Sequence, residues 1–505
     1  MDLTNKKIFI FLQRNWGRKI GYPIAKKFAN EGASLGALTF QKDYHQTYLE
    51  SDLKFDWIMS HDDIINNPKL FLKDDEISIK EICENLKIKS IWPYVQSLRE
   101  HVKNYNDKFF FGSYKQNVSD ENILLYVKSA YKLIVKIERE FSPEIFILPN
   151  FVSIIHIFTY LFCKTKNIKI FAYSSSPLKG KSIFVRDFND STGKFFEDID
   201  KYNSKNELPL NTEKVNEYLK NELQKFDSDT KKINQKLNLF GKTKTLIKQI
   251  YKSLVKKNKP HHKQKKKLFG ANPDNLEIKY LIRDYISYNL NCIKTKKTKF
   301  YNLEDIDNFA YMPLQYQPEA NIDVTSASFN NQIETARQIA MNLPGDMTLV
   351  VKDHPEMFGL RSYKYLEKIL KTPNIKLIDS SYKGTYVVKK AKIIIAPTGS
   401  TFFEAALIKK PGLILGNLGT ARMLPNVLKI DNYKEIQNKV DEIINSSKEW
   451  NEEYIKKLKI IVGCSFEVSI DNEGAYSRIW ETSYSSDKDL NYIYRKFKEE
   501  VMRLL

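Results

Sequence analysis

The feature that most constrains this chain is a rhythm in its C-terminal half. Short apolar runs at 310–314, 347–351, 375–378, 393–396 and 412–415 alternate with amphipathic stretches at 330–342, 363–371, 381–390 and 402–409. Four- or five-residue aliphatic runs without polar alternation suit strands buried on both faces, and an intervening helix supplies the crossover that parallel strands require. The pattern predicts a doubly wound α/β sheet. Three of its runs break into polar turns: Gln315-Tyr316-Gln317-Pro318-Glu319, Lys352-Asp353-His354-Pro355 and Thr398-Gly399-Ser400-Thr401, with Glu404 one turn further on. Turns at the carboxyl ends of parallel strands are where such sheets bind ligands.

The N-terminal half carries the same grammar less regularly. A buried-strand run at 7–12 leads through a turn containing Arg14, Gly17 and Gly21 into a helix at 23–30 and a strand at 34–40. The turn is not GxGxxG, so no dinucleotide fingerprint is present. Residues 50–140 have helical spacing, notably 77–88 and 121–141. A second βαβ unit follows, with strands at 143–150 and 168–173 and a helix between them. Asn150 and Ser174 stand at its strand ends, where an acceptor or a base would sit.

A chain of 505 residues exceeds one core, so two domains are expected. The boundaries read as 1–300 for an acceptor-side domain with a basic insertion at about 205–300, 301–450 for a nucleotide-sugar domain, and 451–505 for helices packing back across both. The formal net charge is +20, which points to an acidic partner. Most of it comes from one segment, since Lys231 to Lys267 holds fourteen lysines and no Asp or Glu. Leu246, Ile247, Ile250, Tyr251, Leu254 and Val255 recur there at helical spacing, giving a basic amphipathic helix. It is expected either to dock on the protein or to attach to the anionic inner membrane. No nucleic-acid motif accompanies it, so nucleic acid is not an expected partner. The four cysteines are far apart, no apolar run is long enough for a membrane span, and the N-terminus lacks a signal-peptide pattern, so a cytoplasmic protein, peripheral at most, is expected. The DxD triplets at 198–200, 227–229 and 305–307 read as chance in an Asp-rich chain, and no metal or other cofactor is expected.

The chemistry is read from the three turns. Gly399 lets a backbone approach a ligand closely, and Ser400 or Thr401 is placed to cap the following helix, whose free N–H groups suit a phosphate. Pro355 restrains His354 to an extended backbone, from which its imidazole can donate to a phosphate oxygen or protonate a leaving group. Lys352 points either toward that phosphate or toward solvent. Glu404 is placed to accept from ribose hydroxyls.

The ordered set of 312–319, 351–355 and 398–406 resembles bacterial capsule and surface-polysaccharide biosynthesis proteins, relatives of the capsule Kdo transferases. The resemblance spans roughly residues 305–430. It implies the GT-B fold, with two Rossmann-like domains whose parallel sheets face a cleft, here with a Lys-rich helical insertion. It also implies glycosyl transfer without a metal, from a nucleotide-activated sugar, CMP- or UDP-linked, to a surface glycan or glycolipid acceptor. Under it, Lys352, His354, Pro355, Thr398, Gly399, Ser400, Thr401 and Glu404 line the nucleotide-phosphate site. Gln317, Pro318 and Glu319 face the donor sugar, with His354 and Glu319 as catalytic candidates. Arg14, Gly17, Asn150 and Ser174 are the acceptor-side candidates. The chain departs from the family at Gln315, often His; at Asp353, often Glu; at Lys409, often Gly; and at Ser326-Ala327, often Gly-Gly. The alternatives are polyol-phosphate transfer or sugar-nucleotide epimerisation on a similar fold, or a non-catalytic membrane-associated scaffold.

Overall fold

A computed structural model describes residues 3–73, 77–95, 97–98, 118–226, 231–233, 239–256, 277–481 and 487–505. Asp227 to Asp229 and much of the lysine-rich segment lie outside the described residues.

The chain forms two α/β units, each built on a largely or wholly parallel sheet. The first contains β1 (Lys7–Leu12), β2 (Ser34–Thr39), β3 (Trp57–Ser60), β4 (Ile145–Leu148), β5 (Lys169–Ser175) and β6 (Lys181–Val185). The second contains β7 (Phe309–Pro313), β8 (Thr348–Lys352), β9 (Ile375–Ile378), β10 (Ile393–Ala396), β11 (Gly412–Ile414) and β12 (Val427–Lys429). A two-residue strand, β13 (Ile470–Asp471), returns to the first sheet. The orders are β13-β6-β5-β4-β1-β2-β3 and β12-β11-β10-β7-β8-β9. Both reverse direction once, between β1 and β4 and between β7 and β10. Crevices outside the carboxyl ends of such strands are the ligand positions of open α/β sheets.

The strands form because their residues are buried on both faces: all four residues of β4 and of β10 are buried. The second sheet is wholly parallel. The first is not, because β6 runs antiparallel to β5 and β13 antiparallel to β6. The cause is local. A tight turn, in which Ser176 N–H donates to Lys181 O and Lys181 N–H to Leu178 O, folds β6 straight back on β5.

Helices relevant to the site are α1 (Asp120–Phe141), α2 (Ile154–Lys166), α3 (Lys194–Lys205), α4 (Thr212–Gln224), α5 (Leu239–Lys256), α6 (Ile278–Lys296), α7 (Thr401–Leu407), α8 (Glu452–Val468) and α9 (Asp487–Leu504). Helix α8 ties the two halves together. At its start Tyr454 Oη donates to Ala406 O of α7 at 2.6 Å, and at its end Glu467 accepts from Tyr202 Oη of α3 at 3.1 Å. Helix α9 then packs on the first sheet, its Phe497 ring 4.7 Å from Phe184 and 5.9 Å from Phe171. Among the described residues no helix is long and apolar enough to cross a membrane.

Candidate active site

The carboxyl ends of β7, β8 and β10 lie side by side, and their turns interlock. Gly399 has φ +125°, a backbone that L side chains rarely adopt, and a Cβ there would stand 3.1 Å from the Gln315 amide. The turn after β10 therefore sits directly on the turn after β7, at the strand-order reversal. Arg361 spans the next gap. Its Nε donates to Asp353 Oδ1 at 2.9 Å and its guanidinium to Gln315 O at 2.6 Å, with both side chains of the ion pair buried. Asp353 Oδ1 also accepts from His354 N–H at 2.8 Å. Asp353 thus fixes the backbone that presents His354.

Lys352 ends β8 and turns inward, 5 % exposed. Its Nζ donates one long bond, 3.4 Å, to Asp353 O and forms no ion pair among the described residues. Burial pushes the ammonium down to about 8, opposed by the charges of Asp353, Glu404 and Asp379. Glu404, on α7, is its counterpart. Burial pushes that carboxyl up to about 6, opposed by Lys352. Its Oε2 lies 3.7 Å from where Gly384 would carry a Cβ, so it faces the loop beyond β9. Glu404 is half-buried and makes no ion pair with Lys352 among the described residues, so the buried ammonium keeps unspent hydrogen-bonding capacity, a setting in which an incoming anion gains.

His354 stands at the rim. Its Nδ1 accepts from Glu356 N–H at 3.3 Å and its ring meets Tyr316 edge-on at 5.9 Å. Burial pushes its pKa below the usual range, so the neutral ring prevails at pH 7. With Nδ1 accepting, the proton resides on Nε2, leaving a neutral donor there. Pro355 starts the short turn that carries Glu356.

The remaining donor-side candidates have mixed fates. Thr398 is fully buried, with Oγ1 lacking a hydrogen-bond partner among the described residues. Ser400 is exposed and makes no cap, contrary to the sequence expectation. Its own backbone is already helical, at φ −68° and ψ −15°, whereas a capping side chain needs the extended region. Thr401 is the first helical residue. The Gln317 amide is occupied internally, donating to Asp323 Oδ1 at 2.7 Å and accepting from Gln332 Nε2 at 3.2 Å. The Gln317–Pro318 peptide is cis. Glu319 is exposed beyond it, its N–H bonded to Asp323.

The remaining candidates lie at the carboxyl ends of strands in the first sheet. Ile10 pairs with Ile147 and Leu148 with Ala172, so continuing the register sets Gln13, Asn150 and Ser174 level across β1, β4 and β5. Gln13 Oε1 and Asn150 Oδ1 are buried without a hydrogen-bond partner among the described residues. Ser174 Oγ donates to Asp190 Oδ2 at 2.6 Å. Asp190 is enclosed by protein yet keeps part of its surface open, and burial, with Asp187 adding, pushes its carboxyl up to about 7. Its loop is rigidly tied: Asp187 accepts from Asn189 N–H, Ser191 N–H and Thr192 Oγ1. The loop also reaches the other unit. Gly419 N–H donates to Asn189 O at 2.8 Å, and a Cβ on Gly419 would fall 2.2 Å from Asp190 O. Arg14 and Gly17 lie in the turn after β1. A Cβ on Gly17 would stand 2.5 Å from Leu12 C, so this glycine serves close packing of that turn.

Asp190 was not a sequence candidate. The polar run from Asn189 to Thr192 signals a turn, but only its contact with Ser174 marks it out. The histidines near these strand ends are packing groups. His61 bonds Tyr126 Oη at 2.7 Å, and Phe40 stacks on both His61 and His156.

The three turns, Lys352 and Glu404 lie within residues 203–421, which match the model of the capsule polysaccharide biosynthesis protein family. Over this stretch, less than half of its length, the chain is similar to that family. No curated protein matches the chain. Among solved structures, a UDP-GlcNAc 2-epimerase from Neisseria meningitidis bound to UDP-GlcNAc aligns at 12% identity, covering 94% of this chain and 100% of its own, with TM-score 0.24. A glycosyltransferase from Rickettsia africae aligns at 12% identity over 99% and 98%, also at TM-score 0.24. Two departures from the capsule family now have physical accounts. Lys409 takes φ +55°, the left-handed region where glycine is at ease, and its Nζ is held by Trp450 O at 2.9 Å. Ser326, in place of a glycine, donates to Pro397 O at 3.2 Å and occupies the space left by Gly416.

Proposed function

We propose that the cleft transfers a sugar from a nucleotide-activated donor to a surface glycan or its lipid-linked precursor, with protein groups serving the leaving phosphate. The observation that carries this reading is Lys352: a buried ammonium at the mouth of a Rossmann-type sheet, without an ion pair among the described residues. A nucleotide phosphate at the carboxyl ends of β7, β8 and β10 would meet Lys352 and the Nε2–H of His354, with Gly399 allowing backbone approach. Glu404, raised only to about 6 and so mostly ionised at pH 7, is available to the ribose hydroxyls. Thr398, Ser400, Thr401 and Pro355 complete that side, and Gln317 and Pro318 shape the loop on which Glu319 reaches the cleft.

Asp190 supplies the base. In the step proposed, an acceptor hydroxyl gives its proton to the Asp190 carboxylate while its oxygen bonds to the anomeric carbon. The bond from that carbon to the phosphate oxygen breaks, and the charge on the departing phosphate is met by Lys352 and His354. Asn150, Ser174 and Arg14 line the side from which the acceptor would enter. A thermal-shift screen against CMP-, UDP-, GDP- and CDP-linked sugars tests the donor side. One nucleotide class should stabilise the wild type and fail to stabilise His354→Ala. A wild type that responds to none of the four contradicts the reading.

A further inference from the structure

Eight of the large apolar side chains that this protein leaves exposed fall on two neighbouring helices. On α5 they are Ile247, Tyr251, Leu254 and Val255, from 50% to 67% exposed. On α6 they are Ile282, Ile286, Leu290 and Ile293, from 43% to 51% exposed. Each set recurs at three- and four-residue spacing, so each is a stripe along one helix face. The helices touch through Lys242, whose Nζ lies 4.9 Å from the Tyr288 ring centre, and Thr243, whose hydroxyl is 2.7 Å from Tyr285 Oη. Contacts that step back along α6 as they step forward along α5 have the sense of an antiparallel pair. On both helices the apolar stripe lies about a third of a turn beyond the contacting residues, in the same sense. In an antiparallel pair the two stripes then emerge on the same side.

The charge around this face has one sign. Lys244, Lys248 and Lys252 are exposed beside the α5 stripe, and Lys279, Lys294 and Lys297 beside that of α6. Helix α5 contains no acidic residue, and the single one within α6, Asp284, is paired with Arg283 at 2.7 Å. A soluble protein seldom leaves so long an apolar strip open to water. An apolar stripe bordered by lysines matches the interface of an anionic bilayer, where apolar side chains enter the acyl boundary and ammonium groups remain among the head groups.

We propose that α5 and α6 together form a docking face for an anionic phospholipid surface. Helix α6 also supports the turn that carries His354. Asn291 Nδ2 donates to Gly359 O at 3.3 Å, Tyr363 N–H donates to Asn291 Oδ1 at 3.4 Å, and Gly359 (φ +77°) lies too close to Cys292 and Tyr288 to carry a Cβ. The docking face and the donor site are therefore mechanically continuous, which sets the cleft close to a membrane where a lipid-linked acceptor would lie.

The test is co-sedimentation of the full chain with phosphatidylglycerol-containing vesicles and with pure phosphatidylcholine vesicles, at low and high salt. The wild type should bind the anionic vesicles at low salt, bind them more weakly at high salt, and leave the neutral ones in suspension. The double variant I286D/L290D and the triple variant K244S/K248S/K252S should each bind at least about tenfold more weakly. Unchanged circular dichroism would show that these surface changes leave the fold intact. Absence of wild-type binding, equal binding to both vesicle types, or variants that bind like the wild type would overturn the proposal. So would a wild-type dimer that I286D/L290D dissociates, because the stripes would then face a second copy. Vesicle binding needs no nucleotide, so its failure is distinguishable from failure of the transferase reading.

Discussion

Lys352 is the residue on which the account turns. Holding its ammonium at about 8 rather than 10.5 costs about 3 kcal/mol in the free protein. The native state binds fewer protons than the unfolded chain between those values. The penalty is therefore full below pH 8 and is relieved as pH rises from 8 to 10.5. Lys352→Met should raise the free energy of unfolding in denaturant at pH 7 by up to about 3 kcal/mol and abolish stabilisation by the donor. Asp190 has the opposite sign. Its carboxyl is raised to about 7, so its charged form is the disfavoured one. Transfer by the wild type should rise as pH increases through about 7, where Asp190 loses its proton, and Asp190→Asn should remove both the activity and that limb of the profile. Neither property is legible in the sequence. A lysine ending a strand buried on both faces points either way by pattern alone. The Asp190 shift comes first from burial, with Ser174 opposing and Asp187 adding, and that burial exists only in the folded chain.

Strands and turns were more legible than side-chain roles. Apolar runs bounded by Gly, Pro and Asn marked β1, β4, β5 and β7 to β11 because full burial leaves no polar residue to blur the pattern. The edge strands β12 and β13, and β6 beside β13, left little trace. Two-residue β13 exists only because β6 offers it a free edge. The three polar turns were visible as motifs, but the sequence could not separate those that face a ligand from those that hold the loop. Arg361, which joins the turns after β7 and β8, was invisible for that reason. At this scale Gly419 is the sharpest test. Its hydrogen bears directly on the Asp190 loop, so Gly419→Val should cost about 1–3 kcal/mol through overpacking, measured by denaturant unfolding. A variant with wild-type stability would show that the two loops do not meet as described.

On the scale of the whole molecule, two reversing sheets are strapped together by α8, and the loop after β6 meets the other unit at Gly419. On the proposed reading, the donor wall holds Lys352 and His354, and the acceptor wall holds Gln13, Asn150, Ser174 and the Asp190 carboxyl. The central claim is that these walls have separate duties, and calorimetric titration of one sugar nucleotide, chosen by the thermal-shift screen, into three proteins tests it most directly. The account predicts binding to the wild type, binding to Asp190→Asn within about twofold of the wild type, and binding to Lys352→Met weaker by at least about tenfold, the loss expected when a buried phosphate contact is removed. Equal binding by Lys352→Met and wild type, or loss of donor binding in Asp190→Asn, would contradict it.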